Sequence, residues 1–194
     1  MIKNSARIYI IDKQTMYARD ALEQALGIKV YTGDPNELDS IRKAALSIHS
    51  LFGKDEPSEK QLERIMKILI EQRKERIALQ KVGRSTRITH SQLCLENASH
   101  LAKKLSTTLG VPIISLVDFD HSVFQMCIYL NGELKTTHQI GEELADMGLS
   151  EQLGDTLEIA SALNSEEQVI KKIIYTDDVW DVEDGIIALI EKED

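Results

Sequence analysis

IISLVDFDHSVFQMCIYLNGELKTTHQI, residues 113–140, is the stretch whose reading decides the fold. Apolar and β-branched side chains crowd three runs, Ile113 to Phe119, Val123 to Leu130 and Glu133 to Ile140. Their hydrophobic period is two, the period of a strand. Asn131-Gly132 separates the second run from the third, and both residues tolerate positive φ, so the pair signals a tight hairpin. The stretch therefore predicts a three-stranded antiparallel meander.

Working outward, the upstream segment from about Ser91 to Leu109 is helical on Leu95, Ala98, Leu101, Ala102, Leu105 and Leu109, with Gly110 and Pro112 closing it. Downstream of Gly141 the chain reads as helical with breaks near Gly148 and Gly154. Ser165-Glu166-Glu167-Gln168 caps a helix through about Tyr175, and a last one runs from about Val179 to Glu191. At the other end, Arg7 to Ile11 is a strand. Ala18, Ala21, Leu22, Ala25 and Leu26 make a helix that Gly27 stops, and Ile28 to Tyr31 is a second strand. Strand, helix and strand so closely linked predict a βαβ unit with parallel strands. Asp34 to Phe52 reads as one helix and Ser58 to about Val82 as another. The apolar stripe of the second fades after Ile70, and the charged run Glu71 to Arg76 predicts a solvated or partner-facing half, which leaves pairing with another copy open. Gly83 to His90, polar and basic, reads as a connection. The division is then 1–90 and 91–194, with one compact domain as the alternative. The fold class is α+β: a mixed sheet with a three-stranded antiparallel meander packed by helices, plus an N-terminal βαβ unit.

Composition narrows the function classes. The 194 residues carry a net charge of −9, 42% are hydrophobic and 5% aromatic. That hydrophobic share supports a real core and excludes wholesale disorder. The acidic balance and scarce aromatics disfavour a nucleic-acid partner. Cys94 and Cys127 are too few and too far from other ligands for a zinc motif, and both read as small buried hydrophobes. No leader-like segment and no run near the length of a membrane span is present, so the expectation is a soluble, cytoplasmic chain without a membrane partner.

Few residues group into recognisable chemistry. The apolar strand running into Asp118-Phe119-Asp120 resembles the first motif of haloacid-dehalogenase-like phosphatases. That resemblance implies Asp118 as nucleophile, Asp120 as general acid/base, Mg2+ alongside, and Asp177-Asp178 as a second metal-binding pair. Only about 75 residues follow Asp118, too few for the doubly wound sheet of such enzymes. His121 and His138 with Asp118 and Asp120 form an alternative metal cluster if the strand register brings them together. Arg7 to Met16 superficially resembles the start of a response-regulator receiver, but Lys13 interrupts the acidic pair such a site needs. Arg84 and Arg87 are candidate anion-binding residues in the basic stretch from Glu59 to His90, whereas Glu142 to Asp194 is heavily acidic. No glycine-rich phosphate loop, GxSxG elbow or HExxH pair is present.

From about Ala98 to Ile190 the pattern is similar to a module of uncharacterised bacterial proteins. Leu105-Ser106, Pro112 to Val117, Asp118-Phe119-Asp120, Ile128-Tyr129-Leu130, Asn131-Gly132-Glu133-Leu134, Gly154-Asp155 and Asp178-Val179-Trp180-Asp181 carry the resemblance. It implies an α+β meander module and brings no assigned activity. The reading favours a non-enzymatic cytoplasmic interaction or regulatory protein, immunity-like in character, without a cofactor and with a basic protein partner. The alternative is a metal-dependent phosphoesterase using Asp118 and Asp120.

Overall fold

The computed structural model describes residues 4–12, 15–26, 31–32, 41–47, 57–74, 77–90, 93–120, 122–176 and 178–192. The elements begin with β1 (Asn4–Ile10), α1 (Thr15–Leu26), β2 (Tyr31–Thr32), a helix α2 over 41–47, and α3 (Glu59–Lys74). Next come β3 (Ala78–Val82), β4 (Ser85–Thr89), α4 (Leu95–Leu109), β5 (Ile113–Phe119), β6 (Val123–Leu130) and β7 (Glu133–Gly141). The chain closes with α5 (Thr156–Leu163), α6 (Glu167–Ile174) and α7 (Val179–Ile190). The strands form one mixed sheet in the order β2-β3-β4-β1-β5-β6-β7, in which the β2–β3 pair is parallel and the rest are antiparallel. The α+β class and the meander β5-β6-β7 stand as the sequence predicts.

Strand alternation divides β5 between two cores. Ile113, Val117 and Phe119 pack with α1 and α4, through Ala18, Leu22, Ala98, Ala102 and Leu105. Ile114 and Leu116 face the other way, into Ile159, Leu163, Ile170, Val182 and Ile186 of α5, α6 and α7. The sheet is thus sandwiched between helices. Both faces of β5 are covered, which is why it reads as a continuous apolar run.

The hairpin signal is realised: Asn131 and Gly132 have φ of 53° and 80°. Helix α4 holds this tip. Its C-cap Gly110 turns left-handed at φ 63°, and the Ser106 Oγ one turn earlier accepts the Gly132 N–H at 2.9 Å.

Several expectations need correction. The helix predicted through Val82 ends at Lys74, and Ala78–Val82 is strand β3. Ile77, Ala78, Leu79 and Val82 are buried, a pattern that sequence periodicity alone cannot assign to helix or strand over so short a run. The Gly83–His90 connection is a left-handed turn at Gly83 (φ 52°) followed by strand β4. Its Ser85 and Thr86 are buried, so small hydroxyl residues lie inside the sheet where polarity suggested a loop. The β3–β4 hairpin enters the sheet between β1 and β2. Those two strands do run parallel, but they are not neighbours. β1 pairs with both β4 and β5, so strands from either side of residue 90 share one sheet. Cys127 is buried as expected, whereas Cys94 is exposed. Most of the helix expected over 34–52, and the side chains of the charged run 71–76, lie outside the described residues. No described helix is long and apolar enough to cross a membrane.

Candidate functional site

The β5–β6 turn and the end of β7 approach each other closely. Asp120 takes a left-handed conformation (φ 49°), which aspartate tolerates better than most residues, and Ser122 N–H closes the turn on the Phe119 carbonyl at 2.9 Å. Gly141 sits opposite with φ 139°, and a Cβ there would overlap the Ser122 carbonyl. The Glu142 N–H donates to that same carbonyl at 3.1 Å. Glycine at 141 therefore lets two backbones pack directly, which brings Asp120 and Glu142 to one rim.

The α6–α7 junction supplies the other rim. At the end of α6 the Thr176 hydroxyl donates to the Ile173 carbonyl at 2.8 Å. Asp178 caps α7 by accepting the Trp180 N–H at 2.8 Å. Gly185 allows α7 to lie against α6, since a Cβ there would come within 2.8 Å of Ile173 Cγ2. Between the two rims is a cleft of about 760 Å³, with Ile140, Gly141 and Ile174 among its lining and Asp120, Glu142, Glu151 and Asp178 as its carboxylates. All four are exposed. Tyr175, Trp180 and Leu153 also line it, although each is half or more exposed: 57%, 50% and 56%. No Lys, Arg, His or Cys belongs to the lining among the described residues. Residues 142–194 hold 16 Asp and Glu against three lysines, so the surrounding field has the same sign as the cleft.

The sequence candidates are scattered relative to this site. Asp118 is buried on β5 and its carboxylate is engaged inside the fold. By alternation it points to the α5–α7 side, with Leu116, and it does not line the cleft that Asp120 lines. Asp178 does share the cleft with Asp120. His121 and Asp177 lie outside the described residues. Among the described residues no group of three or more His, Cys, Asp and Glu is placed to hold a metal ion.

His138 is fully buried on β7, tilted against Phe124 with ring centroids 6.4 Å apart, and its Nδ1 accepts the Gly154 N–H at 3.3 Å. Burial pushes its pKa down to about 4, so it is a neutral structural acceptor. Arg84 and Arg87 each face a carboxylate of the chain itself. Arg84 lies 3.8 Å from Asp12, and Arg87 bonds Glu191 at 3.1 Å and also the Gln80 side chain. Arg87 thus helps to tie the end of α7 to the sheet. Tyr9 joins the same tie through its hydroxyl, 3.0 Å from Glu191.

Sequence reading missed Glu142, Glu151, Tyr175 and Trp180 as site residues. The available signal was a lone tryptophan two residues after an acidic pair at a helix start. Its distance in sequence from Asp120 hid the grouping. The chain matches no protein-family model, no curated protein and no solved structure.

Proposed function

We propose that this chain is a non-enzymatic interaction or regulatory protein of the cytoplasm, and that the cleft between the β5–β6 turn and the α6–α7 junction is its working surface. The observation that carries the reading is the make-up of the cleft. Four exposed carboxylates and two exposed rings converge there without a lysine, arginine, histidine or cysteine among the described lining. The two aliphatic hydroxyls of the lining are engaged within the fold. Ser122 Oγ sits 2.8 Å from the Phe119 carbonyl and 2.9 Å from Glu143, and Thr176 bonds Ile173. Half-exposed Trp and Tyr side chains are the residue types that anchor protein contacts.

Two measurements test this. A panel of phosphate esters and glycosides, with and without Mg2+, should show no turnover. Turnover by the parent that is lost in Asp120→Asn overturns the reading. The parent and Trp180→Ala should then be used as baits in the native source. A stoichiometric partner held by the parent and lost by the variant is expected, and identical recoveries count against the cleft.

A further inference from the structure

We infer that the occupant of this cleft is an extended, arginine- or lysine-bearing segment of a partner protein, with its cationic side chain against Trp180 inside the ring of Asp120, Glu142, Glu151 and Asp178. The inference rests on the interaction reading above and adds the chemistry of what is bound. Charge selects the class: the described lining offers four anions and no counter-charge, within a C-terminal region of the same sign. A neutral or acidic segment gains nothing from that field, whereas a basic one is steered into it.

The rings refine the choice. Tryptophan is the best aromatic face for a cation, and Trp180 is half exposed beside the carboxylates. Exposed Leu153 in the same lining offers apolar contact to the methylene stem of Lys or Arg, which leaves the charged head for the rim. Asp178 accepts the Trp180 amide with Oδ1, and this cap holds the tryptophan backbone in place beside a carboxylate of the lining. At about 760 Å³ the cleft is larger than one side chain needs, so it has room for a segment of chain.

Trp180 is the sole tryptophan of the chain, so intrinsic emission reports on this site alone. The probes are acetylated, amidated octapeptides alternating glycine with arginine, lysine or glutamine, titrated at low salt. Saturable changes with the arginine and lysine peptides and none with the glutamine peptide are expected. Raising salt to about 0.5 M should weaken binding about tenfold or more, because exposed charges are screened. The Asp120→Asn, Glu142→Gln double variant should also lose about tenfold. Glu133→Gln, at the distant hairpin, should bind as the parent does. Trp180→Phe, followed by calorimetry with its fold checked by circular dichroism, should bind more weakly. No saturable change with the arginine peptide, equal binding of the glutamine peptide, or full affinity in the double variant each overturns the inference. Should these fail while a partner is still lost by Trp180→Ala, the basic segment is wrong and the interaction reading stands. Turnover in the substrate panels sinks that reading instead.

Discussion

Ser106 Oγ accepts the Gly132 N–H at 2.9 Å and donates to the Lys103 carbonyl at 2.8 Å, so the last turn of α4 is bonded to the tip of the β6–β7 hairpin. Ser106 is fully buried, and its loss would leave the Gly132 N–H without a partner. Ser106→Ala should destabilise the protein by about 1–3 kcal/mol in denaturant unfolding. Gly132→Ala should cost more, because a Cβ there overlaps the Thr107 hydroxyl and the residue holds φ 80°. If both variants unfold at the parent's midpoint, the clamp has no energetic role.

Arg7 and Glu183 join β1 to α7 at 3.2 Å, with the Glu183 side chain only 8% exposed and that of Arg7 33% exposed. Removing the arginine leaves a mostly buried carboxylate facing the sheet. Removing the charge of the glutamate leaves an arginine that can reach water. Arg7→Met should therefore cost more than Glu183→Gln, about 2 kcal/mol against less than 1, given the partial exposure of the pair. Equal losses would show that the pair is screened.

His138 makes stability depend on pH. Its folded pKa, about 4, lies below the ordinary value of 6.5 because burial penalises the imidazolium. Between those values the unfolded chain binds the proton and the folded one does not, so stability falls as pH drops from about 6.5 towards 4. The full span is on the order of 3 kcal/mol. Denaturant midpoints of His138→Gln, which does not titrate, should lose that part of the slope. An unchanged slope would assign the acid sensitivity to carboxylates.

Tyr9 should ionise late. Its pKa is pushed up to about 12, first by burial and then by the Glu191 carboxylate that its hydroxyl touches. The folded state thus resists a proton loss that the unfolded state accepts near 10, so stability declines as pH rises between these values. Ultraviolet titration should show a tyrosine that ionises late, and Glu191→Gln should bring it earlier. A titration that is complete by about pH 11 in the folded protein would refute the placement.

Much of this architecture was legible because local signals agreed with the tertiary result. Asn131-Gly132 and the alternation in Val123–Leu130 need no partner to be recognised. Strand β4 was hidden because Ser85, Thr86 and Arg87 look like loop residues until the sheet encloses them. Strand β3 was absorbed into a helix because Ile77, Ala78, Leu79 and Val82 also fit helical spacing. The cleft was half legible. Asp120 and Asp178 stood out as acids after apolar runs, but their meeting depends on Gly141 packing on Ser122, a contact that spacing does not announce.

The central place of β1 has a consequence for assembly. Its ladder to β5 joins residue pairs such as Asn4 with Phe119, more than a hundred positions apart. A growing chain must leave the ribosome for well over half its length before this strand gains its second neighbour, and until then one edge of β1 stays open to other polypeptides. Such distant pairing predicts slow, chaperone-sensitive maturation, and fragments cut near position 90 should precipitate when produced alone.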